Sequence, residues 1–236
     1  MTILALEFSS SRRSAAVLDW WKGNDSPPAK KDGALTKQCP PSKLAETIET
    51  GAGGTNAFGL IEKALAGAGR TREQVEIIAV GLGPGSYTGI RVALAIAQGW
   101  QLGRGVKILG LSSTDCLAAQ AQAENIFGRV NVVIDAQRNE FYLGSYEISA
   151  HGWKETRPLR IVSLAQREPQ SHAGEIWIGP EATRWRPDGR ILFPSAATLG
   201  RLAAGRGDFV SGEQLAPIYL RETAFLKAPP ANQFLP

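Results

Sequence analysis

The sequence predicts an α/β protein, and three observations carry the expectation. Val75 to Leu82 (VEIIAVGL) is a nearly continuous apolar run, as in a strand covered on both faces of a sheet. It passes through a glycine turn, Gly81 to Gly85, into a helix-length run from about Tyr87 to Leu102 that has almost no polar face. Paired β-rich runs open both halves of the chain, which points to a second α/β unit after the first.

Taken in order, Ile3 to Phe8 (ILALEF) and Ser14 to Trp21 (SAAVLDWW) flank Ser9 to Arg13 and read as a hairpin. From Lys22 to Asn56 the chain turns polar and irregular, with Pro27, Pro28, Pro40, Pro41, Gly51, Gly53 and Gly54. A lid, a disordered insert or a short edge strand around Ala34 to Cys39 would each account for that stretch. Ala57 to Ala68 has helical spacing, with Phe58, Ile61 and Leu65 on one face, Leu60, Ala64 and Ala68 beside it, and Gly67 and Gly69 at its end. In the helix after the glycine turn, Ile90, Leu94, Ala97 and Gln101 mark one side and Val92, Ile96, Gly99 and Gly103 another, with Ala93 and Ala95 between. A helix apolar all round is buried all round. One side covers the sheet; the other, rich in small residues, meets either a second polypeptide or the neighbouring helix at Ala57 to Ala68.

Gly105 to Leu109 begins another strand, and Ser112 or Ser113 caps a helix through Ala123 with Asp115 near its positive end. Asn131 to Ala136 and Glu140 to Ile148 are strands joined by a tight turn around Gln137 to Asn139. Weaker signals follow: a strand at Leu159 to Val162, a short helix at Ser163 to Arg167, a strand at Ile176 to Gly179 and a helix from about Ala196 to Ala204. Leu215 to Leu220 is the last stretch expected to be ordered, before a loosely held proline-containing tail.

Composition narrows the function classes. At 236 residues the chain buries about 70% of its unfolded surface, enough for one substantial core or two small ones. Cys39 and Cys116 stand alone, without zinc or redox spacing, so a reducing compartment is expected. The strand-like start and the absence of any long apolar run predict a cytoplasmic protein with no membrane partner. Net charge is +4, from 26 basic and 22 acidic residues, but the basic residues arrive singly or in pairs such as Arg12 and Arg13, which gives direct nucleic-acid binding little support.

The glycine turn admits two readings. Gly81, Gly83 and Gly85 with Ser86 could cradle a phosphate at the helix N-terminus, or the turn could let the helix sit hard against the sheet. There is no Walker lysine, position 86 is serine where the dinucleotide pattern wants glycine, and the next strand runs into Gly110 without an acidic residue. Glu7, followed by Ser9, could hold magnesium with Asp135 as a second contributor; alternatively both carboxylates cap turns. His151 and His172, the two histidines, lack HExxH spacing, and Ser86 lacks the nucleophile-elbow context because position 88 is Thr88. Hydrolytic chemistry is therefore not expected. Arg91, near the positive end of its helix, calls for a compensating carboxylate elsewhere in the fold or on a partner.

With these residues laid out, the chain resembles the bacterial TsaB (YeaZ) family, inactive-looking paralogues of TsaD. The resemblance rests on ILALEFSSS at Ile3 to Ser11, GLGPGSYTGIRVALAIAQG at Gly81 to Gly99, GLSSTDCLA at Gly110 to Ala118, VIDAQRNEFYLGSY at Val133 to Tyr146 and PIYLRE at Pro217 to Glu222, and spans nearly the whole chain. It implies an actin-like ATPase or sugar-kinase-like (ASKHA, ribonuclease H-like) fold of two small α/β subdomains. These are expected at residues 1–105 and 106–214, with 215–236 packing back toward the first. It implies a part in making threonylcarbamoyladenosine in ANN-decoding tRNAs: a synthase makes threonylcarbamoyl-AMP, TsaD transfers the group to adenosine, and TsaB is the non-catalytic scaffold that binds TsaD. TsaE joins a larger complex, two copies can pair when TsaD is absent, and tRNA is met through the complex. No cofactor or metal is expected.

The family's docking surface maps here onto the helices at Ala57 to Ala68 and Tyr87 to Leu102, which gives Phe58, Ile61, Leu65, Tyr87, Val92, Ala93, Ile96 and Trp100 as interface residues. Glu7, Ser9, Gly83, Gly85, Ser86 and Asp135 would be a vestigial nucleotide site. At position 7 the family usually carries aspartate in an Ile-Asp-Thr context, and this chain has Glu7, Phe8 and Ser9. Before the first helix, Thr55 and Asn56 replace the family's histidine-serine or histidine-threonine pair. The alternative function is a nucleotide-binding phosphotransferase or ATPase of the actin-like superfamily.

Overall fold

The computed structural model describes residues 1–20, 42–51, 56–164 and 174–221. Two five-stranded sheets organise them. In the first, β1 (Thr2–Glu7), β2 (Arg12–Asp19) and β3 (Ser42–Thr50) form an antiparallel meander, and β4 (Val75–Gly81) and β5 (Lys107–Leu111) extend it in parallel from β1. The order is β3-β2-β1-β4-β5. Every residue of β1 is buried because helices cover both faces of the sheet. Leu4, Leu6, Val17 and Val80 face α1 (Ala57–Gly67) and α2 (Tyr87–Arg104), meeting Ile61, Leu65, Ile90 and Ala93. The alternate residues Ile3, Ala5, Leu18 and Ile77 face α5 (Ala196–Ala203) through Ala196 and Leu199. This is the strand's period of two read from both sides.

In the second sheet, β6 (Gly128–Gln137), β7 (Glu140–Ser149) and β8 (Gly152–Ser163) form an antiparallel meander, while β9 (Ile176–Gly179) runs parallel to β6 and β10 (Arg190–Ile191) parallel to β9. One face carries α3 (Ser113–Ala123), whose Leu117, Ala118 and Ala121 pack on Val132, Ile134, Tyr146 and Ile178. On the other, Val133, Phe141, Leu143 and Val162 pack with Trp185 of the short α4 (Ala182–Trp185), and Trp177 lies beside them. A cavity of about 700 Å³ lies here, bounded by Phe141, Trp177, Trp185, Arg129 and Arg160.

The hairpin, the buried β4 strand and the Ser112-capped α3 are where the sequence places them, and the Ser112 hydroxyl accepts the Thr114 amide at 3.2 Å. The position at Ala34 to Cys39, the helix positions beyond Leu164 and the tail after Arg221 lie outside the described residues. An edge strand does occupy the polar stretch, farther along at β3, where Leu44 packs on the first core and Glu46 accepts the Ala197 amide at 3.0 Å. β8 begins at Gly152 rather than near Leu159; its first half is exposed sheet edge and carries charge accordingly.

The chain crosses between the sheets more than a boundary at residue 105 implies. β5 pairs with β4 and so belongs to the first sheet. After the second sheet the chain returns: the Ala196 amide donates to the Ser14 hydroxyl at 2.8 Å, Val210 bridges to Ile108, and Leu215 enters the first core. Among the described residues no helix is long and apolar enough to cross a membrane.

Candidate functional site

The cleft between the sheets holds four of the six residues expected of a nucleotide site. Its volume is about 910 Å³, and its walls include Ser9, Gly85, Ser86, Asp135, Arg138 and Tyr219. Gly83 is not among them, and neither is Glu7. It ends β1 fully buried, with Oε1 accepting the Ser9 amide at 2.9 Å and Oε2 the Ser113 hydroxyl at 3.0 Å. Burial pushes its carboxyl above the ordinary value, against the lowering effect of the hydrogen bonds from Ser9 and Ser113.

The glycine turn is used for close packing. The Ser86 amide donates to the Ser9 carbonyl at 2.7 Å, so the chain's own hairpin occupies the entrance to α2. A Cβ at Gly85 would collide with the Ser9 carbonyl oxygen, one at Gly89 with that of Phe8, and one at Gly81 with the Glu7 carboxylate. Gly83, at φ 84°, takes a left-handed conformation and accepts the Ser113 amide at 2.8 Å. Ser86 itself caps α2 by accepting the Gly89 amide at 3.2 Å.

Asp135 is engaged elsewhere. Its Oδ1 accepts the Gln137 amide at 2.8 Å and its Oδ2 pairs with Arg184 at 2.8 Å. These bonds hold the β6–β7 turn, where Gln137, Arg138 and Asn139 are all left-handed, with φ of 64°, 55° and 59°. Of the two sequence readings, turn capping describes both carboxylates: the structure does not bring Glu7 and Asp135 together as a magnesium pair. Among the described residues no group of three metal-ligating side chains gathers.

The second candidate surface is formed by α1 and α2, and its residues divide. Ile61, Leu65 and Ala93 are at most 2% exposed and Ile96 is 8% exposed, all within the core beneath the helices, which corrects the expectation that they face outward. They line the inner face, in one cluster with Leu4, Leu6, Val17 and Val80 of the sheet. Val92 and Trp100 are partly buried against that core. Phe58 and Tyr87 are exposed, as is Leu102, which stands 89% exposed and was not among the expected residues. The outward stripe of α2 is Thr88, Arg91, Ala95, Gly99, Leu102 and Gly103.

One flank of α2 is covered by neither of the two expected neighbours. The returning C-terminal segment lies along it: Gln98 Nε2 donates to the Gly212 carbonyl at 2.8 Å, the Gly212 amide donates to Gln101 Oε1 at 2.6 Å, and the Tyr219 ring stacks on Tyr87 at 5.6 Å. Arg91 sits 3.7 Å from the centre of the Tyr87 ring and 5.6 Å from that of Tyr219, so its charge meets aromatic faces where a carboxylate was expected. The glutamines at positions 98 and 101 were the available signal, since polar side chains at that spacing on an apolar helix mark a flank with hydrogen-bonding work.

Comparison with known proteins gives this geometry a family. The model described as "TsaD: tRNA N6-adenosine threonylcarbamoyltransferase" matches residues 55–177. The chain is 29% identical to the tRNA threonylcarbamoyladenosine biosynthesis protein TsaB of Haemophilus influenzae, over 99% of each chain, and 29% identical to that of Escherichia coli, over 74% of this chain and 83% of the relative. An uncharacterized protein of Mycobacterium tuberculosis is 34% identical over 67% of this chain and 70% of its own length. Among solved structures, YeaZ from Pseudomonas aeruginosa superposes with a TM-score of 0.70 at 25% identity, covering 93% of this chain and 99% of that one. With two mixed sheets arranged as in YeaZ and a match to TsaB along its length, the chain belongs to the TsaB (YeaZ) family.

Proposed function

We propose that this chain is a non-catalytic subunit that docks on a TsaD-type transferase and supports threonylcarbamoyl transfer to adenosine in ANN-decoding tRNAs. The observation that carries the reading is the end-to-end match to proteins named for tRNA threonylcarbamoyladenosine biosynthesis. The outer surface of α1 and α2 supports the docking part. Ala95, Gly99 and Gly103 leave room for a close approach along the exposed stripe, and Phe58 and Leu102 flank it as large apolar side chains in solvent. In this reading TsaE joins a larger complex, tRNA is reached through that complex, and two copies pair through the same face when TsaD is absent.

The test is reconstitution of the modification from purified synthase, TsaD, TsaE and tRNA, with and without this chain. Loss of modified adenosine on omission is expected; an unchanged rate would end the proposal. Leu102→Glu and Ala95→Glu, both outward, should weaken a TsaD complex by about tenfold or more, as hot-spot substitutions do, while the isolated chain melts as before. A second reading, a phosphotransferase or ATPase, has the size of the cleft in its favour. Calorimetric titration with magnesium and ATP separates the two, since that reading requires both heat and turnover.

A further inference from the structure

The segment Leu215 to Arg221 crosses from one sheet to the other along the mouth of the cleft, and each of its anchors is specific. Leu215 is buried in the first core. The Ile218 amide donates to the Leu82 carbonyl at 2.9 Å, just after β4. Tyr219 stacks on Tyr87, and Arg91 lies over both rings. Two residues later the Arg221 guanidinium donates to the Ala136 carbonyl at 2.9 Å and pairs with Glu140, spanning the β6–β7 turn of the second sheet. Tyr87, Arg91, Tyr219 and Arg221 all line the cleft.

We propose that this strap is a latch that sets the opening of the cleft between the two sheets. The other covalent crossings, from β5 to α3 and from β10 to α5, are short, through Ser112 and through residues 192–195. The strap differs in kind: among the described residues its hydrogen bonds to the second sheet come from one guanidinium on a turn, and the Arg221–Glu140 pair is about one third exposed on both sides. Such a pair weakens with salt, whereas the Tyr219–Tyr87 stack and the buried Leu215 do not depend on it. The latch therefore releases from the second sheet first and stays attached to the first. With Arg221 free, the sheets keep their own cores and gain freedom to rotate about the remaining connections, the hinge motion of two-lobed proteins. This goes beyond the docking proposal and does not need it, because all the contacts lie within one chain.

The test is a spin-label distance across the cleft in the full chain, with Cys39→Ser and labels at Lys63→Cys on α1 and Lys154→Cys on β8; Cys116 is buried and stays. The chain without strap substitutions should give one narrow distance distribution. Tyr219→Ala with Arg221→Ala should broaden it about twofold, with the melting temperature lowered by no more than a few degrees. Salt at about 1 M should broaden the parent distribution and leave that of the double variant unchanged, and Arg221→Lys should recover most of the narrow population. Should the double variant fail to fold, Arg221→Gln alone decides by the same readout. A distribution in the folded variant that superposes on the parent at low salt overturns the latch.

Discussion

The two sheets of this molecule are buried in different ways. The first is packed on both faces, by α1 and α2 on one side and α5 on the other, so residues of both parities along β1 are inaccessible. The second has α3 on one face and, on the other, Phe141, Trp177 and Trp185 around a cavity. A substitution inside the first sheet meets atoms on every side and cannot relax. In the second sheet, the aromatic face has open volume beside it. Helix faces follow the same division: the inner faces of α1 and α2 serve the fold, and the outer stripe of α2 stands in solvent.

That contrast is broken most directly by a charge placed on the inner face. Ala93→Asp puts an unpaired carboxylate at a fully buried position and should cost more than about 4 kcal/mol, enough to abolish the cooperative thermal transition. Trp185→Ala, on the cavity face, should cost about 3 kcal/mol by urea unfolding and leave the sheets' circular dichroism unchanged; loss of the fold would show that this face is as essential as the other. Gly89→Ala drives a methyl group against the Phe8 carbonyl and should cost about 2 kcal/mol, although alanine favours helix, so a stabilised variant would refute the packing role of the glycine.

Glu7 offers a smaller, pH-dependent effect. Its carboxyl is raised in the folded chain, so the unfolded chain gives up this proton more readily and the Glu7 contribution to stability falls as pH rises from the ordinary carboxylate range through the folded value. Urea midpoints at about pH 4.5 and 7.5 should therefore show the parent losing stability relative to Glu7→Gln as pH rises; a difference that stays flat or reverses would contradict the buried placement. Smallest is Leu102→Glu, expected to change the free chain's stability by less than about 0.5 kcal/mol because the side chain stands in solvent.

The central strands of the first sheet were legible because double coverage leaves a continuous apolar run, as in Val75 to Gly81, whereas its partly exposed edge strand β3 was not placed. The second was legible only where its strands are buried. Glu140 to Ser149 shows an apolar run at Phe141 to Leu143 and then alternates, whereas Lys154 to Arg157 lies in an exposed edge strand and carries the composition of a loop. For α2, periodicity established that the helix is apolar all round but not which atoms cover it. Ile61, Leu65, Ala93 and Ile96 look the same in a core as in an interface, and only the packing separates them from Phe58 and Leu102. The return of residues 196–219 to the first sheet was hidden for another reason: contacts such as Ser14 to Ala196 join positions far apart in the chain and leave no local pattern.

That return has a consequence for how the protein is made. While a ribosome is still adding the second sheet, Ile3, Ala5 and Leu18 have no α5 to rest against, and this apolar side of the first sheet is open to water. The earliest part of the chain thus waits for nearly the last helix before it is complete, and contacts of such long sequence separation form slowly. Nascent chains halted before Ala196 should be the species most prone to aggregate or to recruit a chaperone.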